Sequence, residues 1–338
     1  MLATAVPGIG RFLSEELASI HGLTVRDEGF DGRADVVLYE ADPATTRSVP
    51  GLRLSEDVFV EVGRTLRSEG DRPAWIAGRL WRREPVRRAL AARAAITRLA
   101  AQRTTYRVVV RIRQERSFLR TDLRRDVERT VGREHPDWRL ADPAQLEVWV
   151  TEFQPGRLVA ALRLTDARMR QHDGRAEERP GALRPTVAAA MIRLAGPPGV
   201  LLDPCCGSGT ILAEAGAVGW DASGTDVDAG AIRAARRNVP GARIDKGDAR
   251  SLSRPDHSVD AVVSNLPFGQ RYTVDGSVDR WQRDALGEMS RVVRPGGRIV
   301  LLTPTVLRSA TPARWSLTER QPLRLLGLKT ALWAYTCR

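Results

Sequence analysis

The stretch Asp203-Pro204-Cys205-Cys206-Gly207-Ser208-Gly209-Thr210 decides how the second half of this chain folds. It follows the apolar run Val200–Leu202, which reads as a buried strand, and leads into a helix from Thr210 to Ala217. Glycine lets the backbone pass close to a ligand without a β-carbon clash. The first N–H groups of a helix have no partner inside it and face whatever lies ahead. Outward from this loop the same rhythm repeats. Ala222–Thr225 ends at Asp226, Ala242–Ile244 leads to Lys246-Gly247-Asp248-Ala249, and Val259–Val263 leads to Ser264-Asn265-Leu266-Pro267-Phe268-Gly269. A further strand is expected at Arg298–Leu302, after Arg294-Pro295-Gly296-Gly297, and a helix at Pro185–Ala195, with proline in its first turn and Gly196 past its end. Strands alternating with helices predict an α/β domain over 183–338. Two last apolar stretches, around Trp315–Leu317 and Leu328–Tyr335, read as an antiparallel pair closing a seven-stranded, mostly parallel Rossmann-fold sheet.

In such a sheet, ligands bind beyond the carboxyl ends of the strands, where the strand order reverses. Asp226 lies 23 residues after Asp203, where a carboxylate accepts both hydroxyls of a ribose. Asp248 suits the amine of an adenine, a third polar contact that nicotinamide sites normally lack. A nicotinamide loop also needs Gly-x-Gly-x-x-Gly, whereas Gly207 and Gly209 are followed by Ile211-Leu212. S-adenosylmethionine carries a carboxylate and no phosphates, so this shorter loop suffices, and it is the expected cofactor. The expected contacts are Asp203, Pro204, Cys205, Gly207, Ser208, Gly209, Thr210, Asp226, Val227, Asp248, Ala249 and Asn265. The adjacent thiols at 205 and 206 read as small packing residues.

The turn Asn265-Leu266-Pro267-Phe268 carries the expected catalysis. An exocyclic purine amine is a poor nucleophile because its lone pair is delocalised into the ring. Two acceptors that draw its hydrogens out of plane, the Asn265 side-chain oxygen and the Leu266 carbonyl, aim that lone pair at a methyl donor. Pro267 stiffens the turn, and Phe268 stacks on the base. The base must leave its helix to reach such a pocket. No strong base is needed, because the nitrogen turns acidic as it bonds to the methyl group. The bland alternative is a plain turn after a buried strand; its place one strand after Asp248 argues for the functional reading.

The first half has a different character. Gly10–Ile20 reads as a helix, Ala34–Tyr39 and Val58–Val62 as strands, and Ala74–Ala101 as helical with an interruption at Pro85. Trp75 and Trp81 read as core residues. Tyr106–Arg113 alternates, with Val108, Val110 and Ile112 facing one way and Arg107, Arg111 and Arg113 the other, as in a half-buried strand with a basic outer face. Leu119–Val131 is an expected helix; Leu146–Val150 and Leu158–Leu164 are strands joined at Pro155-Gly156, and 166–182 is a linker. Net charge is +12, and residues 72–133 alone hold 18 arginines against five acids. A polyanion such as RNA is the natural partner of that stretch. With 42% hydrophobic and 28% charged residues, the composition is that of a soluble protein. No run approaches a membrane span, the first residues lack the basic start of a signal peptide, and three cysteines without zinc-like spacing fit a reducing cytoplasm and no metal.

These residues resemble the THUMP-containing class I (Rossmann-fold) RNA guanine-N2 methyltransferases, above all the family acting on guanosine 6 of the tRNA acceptor stem. Asp203–Thr210 looks like that family's cofactor loop, and Leu183-Arg184-Pro185-Thr186-Val187-Ala188 like its preceding cofactor-contact segment. Asn265-Leu266-Pro267-Phe268-Gly269-Gln270-Arg271 looks like its catalytic Asn-Pro-Pro-Tyr/Phe-Gly-x-Arg, with Leu266 in place of the usual first proline. The resemblance implies cofactor contacts at Leu183, Arg184, Pro185 and Thr186. It also implies an N-terminal ferredoxin-like domain over 1–103, a THUMP domain over 104–165 and a methyltransferase domain over 183–338. The N-terminal half would dock the tRNA 3′ end, with Arg107, Arg111, Arg113 and Arg271 on the RNA, and the protein would act as a monomer. Another tRNA position, ribosomal RNA, adenine N6, or an RNA-binding protein with a vestigial methyltransferase domain stay open at this point.

Overall fold

The structure is a computed structural model that describes residues 1–42, 51–96, 104–113, 117–165, 172, 177, 179, 181–267, 277–306, 311–325 and 327–338. Phe268, Gln270 and Arg271 lie outside the described residues. The chain divides into two compact units, Met1–Arg170 and Gln171–Arg338, and the division falls within the stretch read as a linker.

The first unit is built on strands β1 (Leu2–Ala5), β2 (Leu23–Phe30), β3 (Asp35–Ala41), β4 (Asp57–Leu66), β5 (Thr105–Arg111), β6 (Arg139–Leu140), β7 (Leu146–Gln154) and β8 (Arg157–Arg163). They form one sheet in the order β2-β3-β1-β4-β8-β7-β5-β6. Its helices are α1 (Gly10–Ser19), α2 (Pro73–Leu80), α3 (Arg83–Ile96) and α4 (Arg120–Glu134). One sheet continues across the boundary expected at 103/104. β4 pairs antiparallel with β8 from Phe59↔Arg163 to Leu66↔Arg157, so one sheet runs through both segments. One core cluster likewise joins Val62, Ile76 and Leu80 to Leu123, Leu146 and Leu162.

Three further details of this unit depart from the expectations. The break between the helices falls at Trp81-Arg82, and Pro85 sits inside the first turn of α3, where a missing N–H costs no helical hydrogen bond. β5 ends at Arg111. Its supposedly basic outer face also carries Val109, which packs against the cluster of Leu2, Phe59, Trp149 and Phe153. Trp81 is buried and Trp75 packs on the core, as their reading required.

The second unit contains β9 (Val200–Asp203), β10 (Asp221–Asp226), β11 (Arg243–Lys246), β12 (Val259–Asn265), β13 (Val293–Thr303), β14 (Trp315–Leu325) and β15 (Leu328–Cys337). Its helices are α5 (Pro185–Ala195), α6 (Thr210–Ala217), α7 (Ala229–Asn238) and α8 (Val278–Val292). The sheet order is β11-β10-β9-β12-β13-β15-β14. The first five strands are parallel, and β15 runs antiparallel between β13 and β14. This is the seven-stranded, doubly wound sheet with a closing antiparallel pair that the sequence predicts. β13 starts earlier than expected: the register jumps from Val259↔Val293 to Ala261↔Arg298, so Arg294-Pro295-Gly296-Gly297 forms a bulge inside it. β14 extends through the polar Thr318–Gln321 to Leu325, well past the expected apolar stretch.

Leu162 is fully buried in the cluster that joins both segments of the first unit. Leu162→Ala should cost about 2–5 kcal/mol in urea unfolding. Amide exchange should then lose protection in β1–β4 as well as in β5–β8, because one sheet and one core unfold together.

Candidate active site

Strand order in the second unit reverses between β9 and β12, and the carboxyl ends of β9, β10, β11 and β12 carry Asp203, Asp226, Asp248 and Asn265 along one rim. The register places Asp203 beside Gly224 of β10, and Asp226 beside Lys246 of β11. All four residues expected from the sequence therefore lie along one rim, with Asp203 and Asn265 flanking the switch point and Asp248 beyond the edge strand β11.

The loop between β9 and α6 is held from several directions. Cys206 N–H donates to the Thr225 carbonyl (2.9 Å), Gly209 N–H to the Cys206 carbonyl (2.8 Å), and Thr225 Oγ1 donates to the Pro204 carbonyl (3.4 Å). Gly209 caps α6 with φ of 85° and lies so close to α7 that an added β-carbon would sit 3.1 Å from Val239. A left-handed backbone in that space admits glycine and little else. Asn238, at the end of α7, donates to the Ser208 carbonyl (2.9 Å) and to the Glu177 carbonyl (2.9 Å). Sequence reading missed Asn238, because nothing local marks a residue 30 positions away as a brace for the loop. Ser208 and Thr210 are buried, and Gly207 faces open space.

Three carboxylates give the rim its charge. Asp226 accepts the Gly207 N–H at Oδ2 and the Asp228 N–H at Oδ1, both at 2.9 Å, which fixes its orientation against the loop. Asp203 is 1% exposed; burial pushes its carboxyl up to about 7, against the opposing pull of the Ser264 hydroxyl and the Cys205 N–H, while the nearby charge of Asp226 pushes it further up. Asp248 is bound at both oxygens by the Arg250 guanidinium, which holds it below the usual carboxylate range. Burial and the charges of Asp203, Asp226 and Asp248 push the Cys205 thiol well up, and the buried Cys206 thiol follows the same direction. Neither is a nucleophile, since the thiolate is the reactive form. With Arg250 offsetting Asp248, the remaining charge is that of Asp226 and the ionised share of Asp203, which favours a cationic ligand over a diphosphate. Val227, next to Asp226, is 64% exposed and offers an apolar face at the mouth, while Ala249 is buried beside Asp248.

The turn after β12 shows how it is aimed. Asn265 is the last residue of the strand, paired with Leu302 of β13. Its Oδ1 is buried and has no hydrogen-bond partner among the described residues. Leu266, where the resembled motif has proline, is 2% exposed and packs with Leu202, Ala249 and Leu286, and its N–H donates to the Leu302 carbonyl (3.2 Å). Pro267 is half-buried. In the segment 183–186, Leu183, Pro185 and Thr186 are buried at the start of α5 and Arg184 is exposed.

In the first unit, β6 pairs only with Thr105 and Tyr106, so the rest of β5 has no strand on that side among the described residues. A groove of about 910 Å³ runs there, lined by Arg33, Arg107, Arg111, Arg113, Arg120 and Arg124, with Asp31, Glu128 and Asp142 among them. The expected RNA-facing arginines differ in their surroundings. Arg107 donates to Asp142 (2.8 Å) and Glu147 (2.7 Å). Arg111 donates to Asp31, whose side chain is fully buried, and lies 4.3 Å over the Trp149 ring. Arg113 is exposed, and among the described residues its side chain has no carboxylate partner. No group of His, Cys, Asp and Glu able to hold a metal occurs among the described residues, and no described helix is long and apolar enough to cross a membrane.

Comparison with known proteins agrees with this geometry. Residues 172–321 match the UPF0020 family, described as an RMKL-like methyltransferase domain. A tRNA (guanine(10)-N2)-dimethyltransferase from Methanothermobacter thermautotrophicus is 32% identical over 156 residues, 43% of this chain and 46% of that protein. A tRNA (guanine(6)-N2)-methyltransferase from Thermus thermophilus is 32% identical over 160 residues, 44% of this chain and 48% of that protein. The chain thus spans less than half the length of either curated relative. Across the whole chain, the crystal structure of TrmN from Thermus thermophilus superposes with a TM-score of 0.80 at 25% identity, covering 100% of this chain and 99% of that one. The chain is an α/β protein whose C-terminal unit has the Rossmann-like fold of methyltransferases, and it is similar to TrmN from end to end.

Proposed function

We propose that this chain transfers a methyl group from S-adenosylmethionine to an exocyclic purine amine in RNA, guanine N2 of tRNA, at position 6 of the acceptor stem. The observation that carries this reading is the buried Asn265 Oδ1, unpartnered among the described residues, at the end of β12 on the rim that also carries Asp203, Asp226 and Asp248. A buried acceptor without a donor is costly, and such groups in native structures call for an explanation. The hydrogen of a substrate amine supplies one. Asp203, Asp226, Asp248 and the exposed Val227 suit a ligand with a net positive charge, a ribose and an adenine; the cofactor residues present therefore fit S-adenosylmethionine. When bound, that cofactor supplies an electrophilic methyl group on a sulfonium.

The residues of the chain do the rest. Asp226 is oriented by Gly207 and Asp228 to accept ribose hydroxyls. Asn265 Oδ1 and the Leu266 carbonyl accept the two amine hydrogens and rotate the nitrogen lone pair out of conjugation with the ring. Leu266, anchored in the core, holds those acceptors in place before the base arrives, so little reorganisation accompanies the reaction. No side chain here needs to act as a strong base, because the nitrogen becomes acidic once it is bonded to carbon. Phe268 would stack on the extruded base and Arg271 would meet RNA.

The first unit belongs to the same reading. A ferredoxin-like segment over 1–103 and a THUMP segment over 104–165 would dock the RNA, followed by the linker 166–182. The open flank of β5 and its arginine-lined groove support this, with Arg113, Arg120 and Arg124 meeting phosphates. Arg107 and Arg111 would also lie against RNA, but as guanidinium groups already held by Asp142, Glu147 and Asp31 they add little free charge. The protein would act as a cytoplasmic monomer. The match to a guanine-10 enzyme names the competing position, which mass spectrometry of ribonuclease-generated oligonucleotides from tRNA methylated by the purified protein would reveal.

Asn265→Ala should abolish methyl transfer and leave cofactor affinity within a few-fold by calorimetry; normal turnover would remove the amine grip. Asp226→Ala should weaken cofactor binding by about 1.5–3 kcal/mol, the scale of a hydrogen bond to a charged group. Arg113→Glu with Arg124→Glu should weaken tRNA binding and flatten its salt dependence. Arg111→Glu should instead destabilise the fold by about 1–3 kcal/mol in urea melts, because it strands the buried Asp31 carboxylate.

A further inference from the structure

Two parts of the site, the cofactor loop and the amine-gripping turn, sit on different strands and are 61 residues apart in sequence. One side chain bridges them. Ser264 Oγ donates to Asp203 Oδ1 at 2.7 Å, with Ser264 0% and Asp203 1% exposed. The same oxygen accepts the Cys205 N–H at 3.1 Å, and the Ser264 hydroxyl also touches the Cys205 thiol. Ser264 immediately precedes Asn265 at the end of β12, and Asp203 ends β9, the strand alongside. A buried serine in a strand commonly satisfies its hydroxyl on a backbone carbonyl, as Ser223 does on Leu201 in this sheet. Ser264 instead spends its proton on the most deeply buried carboxylate of the site.

We propose that Ser264 is a positioning residue: its hydroxyl locks the Asp203 carboxylate to the base of the Asn265 turn, so that cofactor loop and catalytic turn keep one fixed spacing. This rests on the functional reading above and adds a residue to it. The lock also acts on charge. The charge of Asp226 acts against the Asp203 carboxylate, the Cys205 and Cys206 thiols lie in its field, and no cation among the described residues acts on it. Its anion is therefore stabilised mainly by the Ser264 hydroxyl and the Cys205 N–H, until a positively charged ligand arrives. With the folded carboxyl raised to about 7, the anionic form grows in as pH rises through neutrality. Affinity for a cationic ligand should rise over the same range and level off above it. Removing the hydroxyl should move that rise to higher pH and leave the upper plateau in place.

The test uses the full chain and its variants Ser264→Ala, Ser264→Thr and Asp203→Asn. In the ligand-free protein, the side-chain carboxyl resonance that disappears in Asp203→Asn should titrate near pH 7 in the wild type. In Ser264→Ala it should titrate about one pH unit higher. Calorimetry with S-adenosylmethionine should show the same displacement, with affinity at pH 9 within about threefold of the wild type. Single-turnover transfer to bulk tRNA at saturating cofactor and pH 9 should still fall about 10- to 100-fold, the scale of lost orientation. Ser264→Thr, which keeps a hydroxyl donor, should recover much of both effects. If Ser264→Ala titrates like the wild type and transfers at the wild-type rate, Ser264 is only a packed residue and the proposal falls. A purely structural role would lower the melting temperature of Ser264→Ala without moving either pH midpoint, and would equally overturn it. A wild-type protein that gives no heat with the cofactor would sink the functional reading, while the ligand-free titration would still decide whether Ser264 governs Asp203.

Discussion

Burying an aspartate at the head of the first parallel strand is the constraint on which the C-terminal unit depends. Asp203 is almost fully shielded from solvent, with no compensating cation among the described residues, so its surroundings must supply donors. The loop supplies one through the Cys205 N–H, and the neighbouring strand supplies another through Ser264. The tight left-handed turn at Gly209 and its brace on α7 follow from the same requirement, since the loop must pass close to the strand ends and still start a helix. An uncompensated anion is a poor device for stability and a good one for attracting a cation.

The N-terminal unit handles charge the other way. Its sequence is crowded with arginine, yet many of those guanidinium groups are matched by carboxylates: Arg107 by Asp142 and Glu147, Arg111 by Asp31, Arg163 by Asp57 and Glu147. Along the flank of β5 that β6 does not cover, Arg113 is exposed without a carboxylate partner among the described residues, and Arg124 is exposed with Glu128 beside it. Local pairing makes the sheet, and the remainder makes a surface that a polyanion can use.

The sequence was most legible where burial was most complete. Parallel strands covered on both faces read as near-unbroken apolar runs, so β9, β12 and the Ile299–Leu302 part of β13 could be placed by pattern, whereas β10, Asp221-Ala222-Ser223-Gly224-Thr225-Asp226, could be placed only by its spacing ahead of Asp226. Edge elements were harder. The outer half of β14 carries Thr318-Glu319-Arg320-Gln321, which looks like a loop until β15 is seen pairing with it. Long-range partners were invisible: no pattern around Arg111 announces a carboxylate at Asp31, and none around Ser264 announces Asp203. The continuity of the first sheet was hidden for the same reason, because β4 and β8 meet across 90 residues of intervening chain. Pro85 misled because a proline marks a helix start as readily as a break.

Leu266 changes what kind of hinge the turn after β12 can be. A proline at this place would restrict the backbone through its ring and would offer no N–H. Leucine does neither: it roots the turn in the hydrophobic interior and adds a rung to the ladder with β13. The turn is thereby stitched to the sheet, and its looseness at any temperature is that of the sheet beneath it. The order of the turn then comes from burial, which strengthens on warming from the cold before it fails, so the turn inherits the thermal habits of the hydrophobic effect and not those of a rigid ring.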